Sequence, residues 1–271
     1  MADHTPGPAV SPQYPKEYVD MEKTGKLKPM PFGSSILFFG IPTAVFYFSI
    51  YVVLPFLGRS GVAPILNYSI TLMGPVVHLF IASLVALIRE GYKLNWDSLK
   101  KRFRLKPMRR KEWIWAFGLF VFMVSSNAFL LFTRKWLLTF PFFNPPDYLP
   151  STLNPNAVVD GIPPEFITTP LGLLVMFQLL FLFFNIFGEE FWWRGYILPR
   201  QELAFGKRAW VIHGVLWTLF HIFWKWNLII LLPGALAASF VAQKLKNTTV
   251  LVVVHLVVNT IGGTILLMLS G

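Results

Sequence analysis

Apolar residues in this chain come in long blocks, at about residues 34–57, 69–88, 113–133, 171–199, 209–224, 228–243 and 248–270. About twenty residues of helix are needed to cross the hydrocarbon core of a bilayer. Blocks of this size therefore predict an all-α, polytopic integral membrane protein with about seven transmembrane helices (six to eight). Residues 1–33 break the pattern, with six prolines, mixed charges and no apolar periodicity. They read as a flexible cytoplasmic tail ahead of a transmembrane helical domain spanning 34–271. No apolar stretch follows the start, so a cleavable signal peptide is not expected.

Composition agrees with the pattern. The chain is 55% hydrophobic and only 14% charged, where soluble domains carry about a quarter of their residues as charges. The net charge of +11 raises the question of nucleic acid, but the cations are concentrated. Residues 89–112 hold ten Lys/Arg against three acids, with no aromatic platform or reader motif beside them, so nucleic acid is not an expected partner. Such a segment is instead what the positive-inside rule places in the cytoplasm, against anionic headgroups of the lipid bilayer. Residues 140–170 contain no Lys or Arg, eight prolines and Asp147, Asp160 and Glu165, and are expected outside. Lys207 and Arg208, then Lys244 and Lys246, mark the inside again. The alternation puts the N-terminus in the cytoplasm and the C-terminus outside. The absence of cysteine excludes disulfides, thiolate metal sites and cysteine nucleophiles.

Charge inside an apolar helix is costly, so "FNIFGEEFWWRGY" at 184–196 needs a reason. Glu190 and Arg194 are spaced i,i+4 with the acid first, the favourable order for a helical pair, and are expected to lock the helix. Glu189 points about 100° away from Glu190. Asn185 and Gln178 precede it, suggesting a polar stripe. A carboxylate on such a face suits a general base or acid, or equally proton or ion coupling. The next helix carries His213, Trp217 and His221 at intervals of four. His213 is expected to be a packing histidine, and His221 a deeper polar partner. In the last helix His255 and Asn259 stack on one face, followed by Gly262 and Gly263, which permit close backbone approach. Both side chains donate hydrogen bonds, as an anion- or carbonyl-binding pair must. If the helix holding Glu189 continues to about Arg200 and ends at Pro199, then Glu189, His221 and His255 share a depth on the cytoplasmic side.

These residues resemble the motifs of the CPBP family, the CAAX prenyl endopeptidases and bacteriocin-processing proteins. "EEFWWR" is similar to its EExxxR, "WTLFH" to FxxxH and "HLVVN" to HxxxN, in the same order and on separate helices. "RGYILPR" resembles the stretch that commonly follows the first motif. The resemblance covers a core of about 170–265; Trp217 stands where the family usually has Phe. It implies an intramembrane endopeptidase with a cavity open to the cytoplasm and an apolar or prenylated peptide or protein as substrate. By position, Glu189 resembles the base that activates water, with His221 helping to hold it. His255 and Asn259 resemble the donors facing the oxyanion, and Glu190 and Arg194 support the helix. No cofactor is expected. One alternative is a zinc-dependent version using Glu189, His221 and His255, although the HExxH spacing is absent. The others are a non-enzymatic transporter and an idle immunity protein. The absence of an internal repeat, and of broken helices other than at Pro199, counts against a transporter.

Overall fold

All seven apolar blocks are helical. The computed structural model describes residues 27–157, 163 and 166–269, the last nine by backbone alone; most of the N-terminal tail, Asp160 and Glu165 lie outside them, as do the side-chain surroundings of Gly262 and Gly263. The elements are α1 (Phe32–Arg59), α2 (Pro64–Arg89), α3 (Trp96–Arg102), α4 (Arg110–Leu137), α5 (Leu171–Glu189), a π-helical stretch Glu190–Ile197, α6 (Leu198–Phe205), α7 (Ala209–Phe220), α8 (Leu228–Leu245) and α9 (Thr249–Leu269). No strand occurs among the described residues. Four helical stretches are long and apolar enough to cross a membrane: α1, α2, α4 and the continuous run Leu171–Leu245 that includes α5 to α8. That run folds back on itself, with α7 packed along α8. Large side chains such as Phe129 (77% exposed) and Leu171 (70%) cover the outer faces, a surface that water would not tolerate and lipid does.

The helix with the two acids sits inside this bundle. α5 packs on α2 so closely that a Cβ on Gly188 would lie 2.5 Å from the carbonyl oxygen of Val76; glycine is required there. On the other side α5 meets α9. Trp193 is fully buried, stacked on Phe39 of α1 and packed on Phe220 of α7. α1 and α2 are cross-linked at their own π turns, where the Ser49 hydroxyl donates to the carbonyl of Thr71 at 2.8 Å.

Three expectations need correction. First, the helix of the first motif does not end at Pro199. Pro199 is passed without a stop at the junction of the π-helical stretch and α6, and the helix runs to Phe205 before Gly206 at φ 56. Second, Pro199 is not the sole break. α7 stops at Phe220, and His221–Asn227 forms a 3₁₀ turn with Trp224 at φ −117, ψ 52. Tyr51 donates to the carbonyl of Phe223 at 2.8 Å, and Arg134 to Asn227 at 2.9 Å, which holds this turn from α1 and α4. Third, the basic segment is not all turned outward. Arg102 and Arg104 are completely buried, each in a bidentate pair, with Glu90 and Glu202 respectively. Arg102 also donates to the carbonyl of Gly195 at 2.7 Å, and the Phe103 ring lies where any side chain on Gly195 would go. α3 is thereby plugged into the end of the bundle, beneath the π-helical stretch. Of the proline-rich segment, Thr152 shares a 2.6 Å hydrogen bond with Tyr68 of α2, and Leu149 is buried in the core.

Candidate functional site

Seven residues from α5, the π-helical stretch that continues it, α7 and α9 meet around the end of α5. Asn185 and Glu189 are one turn apart and both buried. The amide of Asn185 donates to Oε1 of Glu189 at 2.8 Å. From α9, the amide of Asn259 donates to Oδ1 of Asn185 at 2.8 Å, so a chain of donors leads from Asn259 through Asn185 to Glu189. The other oxygen of Glu189 accepts from the indole N–H of Trp217 at 3.3 Å. Gln178, placed on the same stripe by its spacing, is exposed instead.

Glu190 points elsewhere, as its 100° offset requires. Its Oε1 accepts from Arg194 at 3.2 Å and pairs with Nδ1 of His255 at 3.0 Å. The Arg194 guanidinium lies 4.0 Å above the Trp217 ring, a cation–π contact that strengthens away from water. Oε2 of Glu190 and Nε of Arg194 have no hydrogen-bond partner among the described residues.

His221 begins the 3₁₀ turn, packed edge-on against Trp217 and Phe220. Its Nδ1 donates to the carbonyl of Trp217 at 2.8 Å. That bond fixes the tautomer and leaves Nε2 with its lone pair. His213 is held separately: buried, with Nδ1 on Gln201 at 2.7 Å, and Gln201 in turn on Ser35 at 3.0 Å.

The two acids thus have different company. Glu189 is held by neutral N–H donors, Glu190 by a guanidinium and an imidazole. His255 and Asn259 lie on one helix but reach different acids, His255 contacting Glu190 directly and Asn259 reaching Glu189 through Asn185. As for zinc, the described residues contain no group of three or more His, Asp or Glu side chains that could hold a metal ion. Glu189, His221 and His255 do not form one.

The spacing argument found Asn185, Glu189, Glu190, Arg194, His221, His255 and Asn259. It did not find the two buried ion clusters. Glu90 also takes Arg200, which donates to the carbonyl of Lys28, and Glu202 also takes Lys246. The available signal was Glu90 and Glu202 themselves, isolated acids at helix ends near a surplus of cations.

Residues 171–261 match the family described as Type II CAAX prenyl endopeptidase Rce1-like. The match bears out the resemblance seen in the three motifs, and it covers α5 to the middle of α9, every residue of the cluster included. The family is one of CAAX proteases. The match covers about a third of the chain, and with the apolar helices it supports an integral membrane protein with a region similar to this protease family. Neither a curated protein nor a solved structure matches the chain.

Proposed function

We propose that the chain is an intramembrane endopeptidase in which Glu189 activates water to hydrolyse a peptide bond, without a metal. The observation that carries this reading is the difference in partners between the adjacent acids. A carboxylate that holds a buried guanidinium is committed to neutralising it, whereas one held only by neutral donors has no buried cation to balance and suits a general base. Glu189 has Asn185 and Trp217; Glu190 has Arg194 and His255.

In this mechanism Glu189 takes a proton from water while the oxygen attacks the scissile carbonyl carbon. The electron pair moves onto the carbonyl oxygen, and the proton on Glu189 passes to the leaving nitrogen as the C–N bond breaks. His221, its tautomer fixed by the Trp217 carbonyl, holds the water through Nε2. Asn259, through its second amide hydrogen, and His255, through Nε2–H as an imidazolium on Glu190, supply N–H groups for the oxyanion. The family match and the apolar surroundings favour an apolar or prenylated peptide as substrate. The charge pattern favours a cavity open to the cytoplasm, with the N-terminus inside and the C-terminus outside.

The test is cleavage of prenylated and unmodified peptides by purified protein, beside Glu189→Ala and Asn259→Ala. Wild type is expected to cut. Glu189→Ala should be inactive, and Asn259→Ala should lose about a hundredfold or more in kcat, the scale of a lost oxyanion donor. Elemental analysis of the active protein decides the metal question. About one zinc per chain, lost and restored together with activity, contradicts the mechanism. The broken turn at His221–Asn227 is a feature carriers also use. Solute uptake that depends on Glu189, with no cleavage of any peptide, would replace the peptidase reading by a carrier. Neither activity would favour the immunity protein.

A further inference from the structure

An apolar groove lies outside the polar cluster, on the seam between α4 and α8. It has a volume of about 340 Å³ and is lined by Ile114, Gly118 and Phe122 on one side and Ala237 and Phe240 on the other. Past Phe122 and Phe240 it continues into a second hollow of about 540 Å³, walled by Trp210 of α7 and Leu236 of α8. Both volumes fall in the range of ligand sites, ~300–1,000 Å³.

Two features separate this groove from an ordinary lipid-facing seam. Gly118 weakens a helix interior relative to alanine, yet no neighbouring atom lies within 4 Å of where its Cβ would stand. Helix packing does not demand glycine there, and its effect is to deepen the groove. The second feature is charge at one end. The Lys244 ammonium sits 5.0 Å from the Trp115 ring centre and 5.4 Å from that of Phe240, spanning α8 to α4. Gln243 accepts from the backbone of Trp210 at 2.7 Å and donates to the carbonyl of Gly206 at 2.9 Å. These bonds bring the start of α7 to the end of α8. Arg110 and Lys111 at the start of α4, Lys207 and Arg208 before α7, and Lys244 are therefore gathered at one end, all exposed. The acid nearby, Glu112, is engaged with the backbone N–H of Arg109 at 3.0 Å.

We propose that the groove holds an acyl chain of one anionic glycerophospholipid, with its phosphate seated among Lys244, Lys111 and Arg208. The apolar trough fits a hydrocarbon tail but does not distinguish one lipid from another. The cations do, because a zwitterionic headgroup gains little from a cluster of a single sign. This inference stands apart from the peptidase reading.

The test is native mass spectrometry of the full chain in detergent, titrated with phosphatidylglycerol and phosphatidylcholine of identical acyl chains. Wild type should retain one phosphatidylglycerol at concentrations where phosphatidylcholine is stripped. Lys244→Ala and Arg208→Ala should each weaken that retention about fivefold. Gly118→Leu, which fills the groove, should abolish it with a melting temperature no lower than that of wild type; Gly118→Ala, a half-filling change, should weaken it if the leucine variant does not fold. Equal retention of the two lipids by wild type overturns the proposal, as does undiminished retention by both Gly118 variants. Displacement of phosphatidylglycerol by a neutral farnesylated peptide ester would make the groove a substrate subsite, and would also overturn it.

Discussion

Trp217 donates its indole N–H to Glu189 at 3.3 Å while the same ring carries the Arg194 guanidinium at 4.0 Å. Its carbonyl also receives Nδ1 of His221 at 2.8 Å. One residue on α7 thus orients the acid and the histidine proposed to handle water. Phenylalanine, which the related motif usually has here, would keep the ring and the carbonyl but not the N–H. A hydrogen bond to a charged group is worth ~1.5–3 kcal/mol. Trp217→Phe should therefore lower kcat by about tenfold or more with KM little changed. Trp217→Ala, which opens a cavity, should also lose about 3–5 kcal/mol of stability. Unaltered kcat in Trp217→Phe would remove the indole N–H from the mechanism.

The adjacent acids should fail in different ways. Glu189→Gln keeps its volume and one of the two hydrogen bonds its oxygens accept, so it should be inactive yet destabilised less than the variants of the ion pair. Arg194→Ala leaves Glu190 buried without its guanidinium, which should cost about 3–5 kcal/mol and show as a lower melting temperature and yield. Glu190→Gln should be destabilised too, because it loosens both Arg194 and His255. Comparable destabilisation of all three variants would argue against the division of roles.

The ion cluster beneath the bundle predicts a pH dependence. Lys246 pairs with Glu202, yet burial dominates and brings its pKa down from 10.5 to about 8, with Arg104 on the same carboxylate pushing further in that direction. Between about pH 8 and 10.5 the unfolded chain holds a proton there that the folded chain has released. Stability contributed by this group therefore rises with pH across that window. Melting temperatures in detergent should show the rise in wild type and lose it in Lys246→Met. Parallel curves for the two proteins would count against a depressed Lys246.

Orientation is open to direct labelling, since the chain has no cysteine. Asp97, in α3, has a 90% exposed side chain, and Asn156 is exposed in the proline-rich segment. Single cysteines at these two positions should react from opposite faces of a sealed vesicle, Asp97→Cys from the cytoplasmic one. Reaction from the same face would undo the proposed topology and the cytoplasmic opening with it.

Apolar spacing was sufficient to find the long helices but not the short α3 in the basic segment, because each block buries or exposes apolar surface along its whole length. The spacing of polar residues also found side chains that the fold brings together, since Asn185 and Glu189, or His255 and Asn259, are one turn apart whatever their surroundings. The break after Phe220 was hidden because "HIFWKWN" contains neither glycine nor proline. It is made by long-range partners, Tyr51 and Arg134. Burial of Arg102 and Arg104 was hidden for a similar reason. A run of cations reads as solvated until the acids that neutralise them, Glu90 and Glu202, are brought in from other elements.

The wide turns of Glu190–Ile197 act on this helix as a change of phase in a screw thread. Glu189 ends the regular winding and Leu198 resumes it, so the face that carries Gln201 toward Ser35 and Glu202 toward Arg104 is set by the stretch between them. Removing a single residue from that stretch would turn everything after it by about 100°. Gln201 and Glu202 would then miss their partners, and the helix of the acids would lose one tie to α1 and one to the basic segment, although no residue of either contact had been changed.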